Sequence, residues 1–420
     1  MAGPEREKDA APWLVKGPEG DYHCRNWSGS LRFRPARIEA PESEAELQQL
    51  VRTLAGQGRT LRPIGSAHSS SAVVATDDVL VSLRHFSGLR SYDRQTCRAR
   101  VGAGMLLSDL GEALAEVGLA MPNYGDVATQ TLAGALGTGT HGSGQRLYNL
   151  SMTLVGGRLV TGTGDIVAFS VERDPDLVRA LRVSMGLLGV LTEVELQLEP
   201  GYDLHRQEWC SDFSACFDRI DTLAGENRNF DLYWYPRSDE VKLRCLNPPG
   251  AAPDYSGFAR LVEDKTGPSH EIIPKHSDIP DRFDEMEYAL PAEAGPECLL
   301  AVRARLREKW RRIVAWRVLY RFIRADDSWL SEAHGRETVS ISLHQNSALP
   351  FRAFFADIEP IFQAHGGRPH WAKIHAMGGD ALRARYPMAE RFFALRRALD
   401  PDGVFLTPAL RAMFAIGDRA

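Results

Sequence analysis

The chain has 420 residues, of which 44% are apolar and 25% charged, with 37 Gly and 24 Pro. That is the composition of a globular protein of two or three domains with a large core, and it excludes collagen-like, coiled-coil and wholly disordered chains. A net charge of −5 argues against nucleic acid as a main partner, and no apolar run reaches the roughly 18–20 residues of a membrane helix.

The first thirty residues are polar and irregular and read as a mobile lead-in. Their start, MAGPEREKDAAPW, has no apolar stretch of the kind a secretory signal needs. Ser43 precedes Glu46 by three residues, a capping-box spacing. Leu47, Leu50, Val51 and Leu54 then share one helical face, stopped by Gly56 and Gly58. A short strand, TLRPIG, leads into the loop GSAHSSS (65–71). Strands follow at 79–83 and 98–104. A second amphipathic helix runs through Leu107, Leu110, Leu114 and Val117 to Gly118. The short strand LAMP comes next, then NYGD and the stretch TQTLAGALGTGTHGSG (129–144). The two helix–Gly–strand–loop units, 45–71 and 105–144, resemble each other weakly. SMTLVGGRLVTGTGDIVAF reads as a hairpin, a helix opens at Asp174-Pro175, and VLTEVELQLEP alternates with period two. Without a regular βαβα rhythm the expected class is α+β. A composition change at 201 places a first domain over 25–200 and a second over 201–365. The segment 366–420 holds HWAKIHA and a helix–turn–strand ending, AERFFALRRALDPDGVFLTP. Six cysteines without a CxxC pattern fit a reduced, cytoplasmic chain with no metal site.

Several segments carry chemistry. Glycines in 129–144 let backbone N–H groups approach a bulky ligand, and the hydroxyls add donors, which suits a pyrophosphate. Gly137, Gly139 and Gly142 spell GxGxxG, but no helical stripe follows, so a Rossmann reading is disfavoured. GSAHSSS is a second anion cradle, with His68 either structural or reachable by a planar ligand. HWAKIHA is either a positive charge beside an aromatic site or a surface turn. On the strand at 318–324, Leu319, Arg321 and Ile323 share a face, so Arg321 needs an acceptor. On the strand at 338–344, Ser340, Ser342 and His344 make a polar face that either meets solvent or lines a polar cavity. The arginine-rich run 303–324 fits a solvated helix leading into a strand.

Taken together, GSAHSSS, PNYGD, TQTLAGALGTGTHGSG, SMGLLGVLTEVEL, RFIRADDSWLS and HWAKIH resemble the aldonolactone and alditol oxidases. This is a branch of the vanillyl-alcohol-oxidase-type FAD flavoproteins that includes gulonolactone oxidase. The resemblance runs over 25–415. It implies a two-subdomain FAD-binding domain, an α+β substrate (cap) domain and a C-terminal segment returning to the flavin. It implies that Gly65, Ser66, Ala67, His68, Ser69 and Ser70, with Thr138, Gly139, Thr140, His141, Gly142, Ser143 and Gly144, hold the cofactor, and that Val190 lies near its adenine end. His68 matches the histidine that bonds covalently to the flavin. His370 and Lys373 match residues beside the isoalloxazine, where the lysine stabilises the anionic reduced ring. Gly125 falls at the oxygen-gatekeeper position.

The resemblance therefore implies an oxidase that takes hydride from a small-molecule alcohol to flavin N5 and makes hydrogen peroxide from O2. The alternatives are a dehydrogenase with another acceptor and a flavin-fold binding protein without turnover. Arg321 and Lys373 would orient the substrate oxygen, and Asp126 or His344 would take its proton. The chain departs from the family where Glu-x-Arg becomes Leu319-Tyr320-Arg321, and where Asp126 and His344 replace small hydroxyl residues. Asp126 then suggests a cationic or amino-bearing substrate.

Overall fold

In the computed structural model, residues 11–16, 22–273 and 282–417 are described. Ser43 Oγ accepts the Glu46 N–H at 3.2 Å and starts helix Glu44–Gly56, which buries Leu47, Val51 and Leu54. The helix packs beside a three-stranded parallel sheet, ordered Arg37–Glu39, Val79–Ser82, Leu61–Ile64. Helix Leu107–Glu116 ends before Gly118, whose φ of +72° suits a residue without Cβ. It belongs to a second layer built on a five-stranded antiparallel sheet, ordered Ile166–Ser170, Leu154–Val160, Val190–Gln197, Arg98–Gly102, Leu89–Asp93.

The third layer is an eight-stranded antiparallel sheet. Its order is Arg260–Pro268, Asp203–Asp212, Glu240–Asn247, Asn229–Tyr235, Val318–Ile323, Thr338–Asn346, Phe283–Pro291, Arg368–Pro369. Register decides which side chains share a face. Arg321 lies opposite Ser340 and Asp231, Leu319 opposite Ser342 and Tyr233, His344 opposite Glu285, and Ser342 opposite Glu287. All of them point to one side and all are buried. On the other side, Tyr320 and Val339 pack under the start of helix Gly295–Arg305.

Some expectations need correction. Of the lead-in, residues 1–10 and 17–21 lie outside the described residues. The rest is ordered in a three-stranded sheet, Leu14–Lys16, Tyr22–Arg25 and Arg32–Phe33. Buried Trp13 pins it by donating from Nε1 to the Gly65 carbonyl at 2.9 Å. The glycine-rich stretch contains a short helix, Leu132–Gly137, which precedes the GxGxxG letters rather than following them. The closing strand expected at GVFLTP is absent. Asp400 accepts the N–H groups of Val404 and Phe405, and this turn leads into helix Pro408–Phe414, capped by Thr407. No helix among the described residues is long and apolar enough to cross a membrane.

Candidate active site

Two cavities meet at His68, Ser69 and Gln130. The first, about 890 Å³, is walled by backbone-rich segments: Gly65–Ser69, Gln130–Thr138 and Ser184–Leu191. The second, about 640 Å³, is walled by the buried polar sheet face, by Gly125 to Val127 and by the HWAKIHA segment.

The first cavity is built for a ligand rich in acceptors. A Cβ on Gly65 would lie 2.0 Å from Thr131 Oγ1, so the two loops close together only with glycine there. Ala67 takes a left-handed φ of +52° while its carbonyl accepts the Trp27 N–H at 2.8 Å. That turn sets the His68 ring 4.8 Å from the Trp27 ring. Arg62 is buried at the wall and donates to the carbonyls of Val73 and Met185. Among the described residues its Nη1 has no hydrogen-bond partner, and burial pulls its pKa down to about 10. A buried guanidinium N–H without an acceptor is costly unless a ligand supplies one, and the phosphate or carbonyl oxygens of a dinucleotide would meet that need. Gly65, Ser66, Ala67, Thr138 and Val190 sit on this cavity.

The rest of the glycine-rich stretch divides. Thr140 and His141 line the second cavity. Gly142, Ser143 and Gly144 line neither. Ser143 Oγ donates to the Phe230 carbonyl and accepts the Phe322 N–H, and the Gly144 N–H donates to the Phe322 carbonyl at 2.9 Å. They stitch the stretch to the eight-stranded sheet, and a Cβ on Gly142 would fall 2.3 Å from the Tyr124 carbonyl oxygen. Gly139 leaves room for the Glu332 carboxyl, and Ser70 donates its N–H to Ala372 at 2.7 Å.

Gly125, Asp126, Arg321, His344, His370 and Lys373 all border the second cavity. The carboxylates that organise them were missed in the sequence. Glu287 Oε1 accepts from Arg321 Nη2 at 2.9 Å and lies 2.9 Å from His141 Nε2. Glu285 pairs with Lys373 and lies 3.2 Å from His344 Nε2. The carboxylate absent at Leu319 is thus supplied from a strand two positions across the sheet. The period-two spacing of Glu285 and Glu287 in FDEMEYALP was the available signal.

Burial alone would raise the pKa of Glu287, but Arg321 and His141 outweigh it and hold it well below the usual carboxylate range. Glu285 is likewise raised by burial and pulled well down by Lys373 and His344. Burial drives His370 down to about 3, so its imidazole is neutral. His141, Glu287 and His370 place ligand atoms within 4.8 Å of one another. A cation there would meet the Arg321 guanidinium on the same Glu287 oxygen. Asp126 is not an open acceptor for an amine, because Arg244 Nη1 stands 2.8 Å from its Oδ1.

A family model described as D-arabinono-1,4-lactone oxidase matches residues 256–413, and an FAD-binding-domain model matches 35–170. The L-gulono-1,4-lactone dehydrogenase of Mycobacterium tuberculosis is 35% identical over 92% of this chain and 97% of its own. The chain belongs to the aldonolactone and alditol oxidase family. The alditol oxidase of a Streptomyces species is 28% identical, over 92% of this chain and 97% of its own. A solvent-stable cholesterol oxidase shares the fold, with a TM-score of 0.80 at 16% identity over 96% of this chain and 98% of its own. This family member is an FAD-dependent oxidoreductase with the α+β flavoprotein fold.

Proposed function

We propose that this chain oxidises an alcohol carbon of a small sugar-derived substrate and passes the electrons to O2, making hydrogen peroxide. Bound FAD supplies the two-electron acceptor. The observation that carries the reading is His68, which borders both the glycine-walled cavity and the polar chamber. A cofactor held by the first cavity and bonded to His68 would present its reactive ring to the second.

In the chamber, Arg321 and Lys373 line one space from two elements, held there by Glu287 and Glu285. They orient the substrate oxygen and stabilise negative charge on it. His344, with Glu285 beside its Nε2 and the Arg317 carbonyl beside its Nδ1, takes the hydroxyl proton, and Glu285 stabilises the imidazolium that results. Asp126 is the weaker candidate because Arg244 Nη1 already stands 2.8 Å from its Oδ1. Gly125 supports the oxidase reading, since it borders the chamber at the position that resembles the family's oxygen gatekeeper.

The name of the M. tuberculosis relative favours a second reading, a dehydrogenase that uses another acceptor. Aldonolactones and alditols screened without air for bleaching of the visible flavin band test the first step. Oxygen uptake with peroxide release, set against dye reduction, separates the two readings. Reduced protein that stays reduced in air would sink the oxidase reading.

A further inference from the structure

Arg317 immediately precedes strand Val318–Ile323, and it borders the chamber along with Leu319 and Arg321. Its guanidinium stands 5.2 Å from the centre of the Tyr233 ring and 5.3 Å from that of Trp316. These aromatic faces hold its position without neutralising its charge. Its backbone carbonyl lies 3.3 Å from His344 Nδ1, so it adjoins the proposed proton acceptor. Its Nε is buried and, among the described residues, has no hydrogen-bond partner.

The other cations around the chamber are matched. Arg321 has Glu287, Lys373 has Glu285, and Arg244 has Asp126 and Asp231. Arg317 is thus a chamber-lining guanidinium that, among the described residues, has no carboxylate within salt-bridge distance. Leu319, uncharged and buried, lies between the two guanidinium groups of this edge.

We propose that Arg317 anchors a carboxylate on the substrate, which makes the preferred substrate a polyhydroxylated monoacid rather than a neutral lactone or alditol. The planar guanidinium fork matches a carboxylate, and one unmatched charge suits a monoanion better than a phosphate dianion. Held at Arg317, the acid end places a carbinol of the same molecule toward Arg321, Lys373 and His344. This assignment rests on the oxidoreductase reading above.

The test is calorimetric titration of the oxidised holoenzyme with C4 to C6 aldonates and with alditols of the same configuration, alditol phosphates forming a third arm. The aldonate binds at least tenfold tighter, about the size of one charge-assisted hydrogen bond. Arg317→Gln brings the aldonate-to-alditol ratio close to one, while Arg317→Lys, which keeps the charge, retains a clear preference. Equal binding of acid and alditol, tighter binding of the phosphate, no binding of any arm, or a preference that survives Arg317→Gln overturns the proposal. Turnover is read separately. A selective aldonate site with no flavin bleaching would refute the oxidation reading and leave the anchor standing.

Discussion

At the level of single residues, His68 carries the sharpest prediction. If it bonds the flavin, the yellow colour stays with acid-precipitated protein, and His68→Ala releases it to the supernatant. Colour retained on the His68→Ala pellet would place the anchor elsewhere. Gly125 is a second case. An added Cβ would lie 3.1 Å from Thr140 Cγ2 and 3.4 Å from the His141 carbonyl oxygen, so a methyl fits with a shift of a few tenths of an ångström. Gly125→Ala should therefore fold and slow reoxidation by O2 about tenfold or more, measured by stopped flow. Unchanged oxygen reactivity would remove the gatekeeper role. Glu287→Gln strips the carboxylate from buried Arg321 and leaves the guanidinium unbalanced. Breaking a buried pair from one side costs about 3–5 kcal/mol, so the variant should show a lower Tm together with a lower kcat/KM. Arg321 was readable as a buried cation because alternation put it among apolar neighbours. Its partner was not, because which strand lies beside Thr338–Asn346 depends on register across the sheet rather than on local spacing.

Whole elements follow the same division between local and distant causes. Both amphipathic helices were legible, since an apolar stripe and a closing glycine, with a side-chain cap on the first, are encoded over a short stretch of sequence. The apolar run at 403–406 misled, because its backbone partners are remote: Leu61 donates to the Val404 carbonyl at 2.7 Å, and Asp400 holds the turn. The polar strand face at Ser340, Ser342 and His344 was left open between solvent and cavity. It is buried because the glycine-rich stretch, sewn on through Ser143 and Gly144, covers it. The opposite face is fixed by contact with helix Gly295–Arg305. A Cβ on Gly295 would fall 2.3 Å from Val339 Cγ2 and 2.4 Å from the Tyr320 hydroxyl. Gly295→Ala should therefore lift the helix off the sheet at a cost of about 1–3 kcal/mol. Thermal unfolding followed by circular dichroism should register the loss, and an unchanged Tm would mean the helix start is free to move.

For the molecule as a whole, the buried cluster is also the joint. His141 comes from the glycine-rich stretch, Glu287 and Arg321 from the eight-stranded sheet, and His370 from the segment beyond it. Acid should loosen all three together, and the signs agree. His370 is held down to about 3 against an ordinary 6.5, so between these values the unfolded chain binds a proton that the folded chain does not. Stability therefore falls as pH drops through that window. Glu285 and Glu287 are depressed below the usual carboxylate range, so their contribution is present above that range and fades as pH falls beneath it. Denaturant unfolding at pH 7 and pH 5 should show a loss approaching the ~1.4 kcal/mol per pH unit that one linked proton gives. His370→Gln should flatten that slope, because it removes the titrating group while keeping a polar side chain at the joint. A slope unchanged by the substitution would move the acid sensitivity away from this cluster, and with it the idea that one set of charges holds the three segments around the chamber.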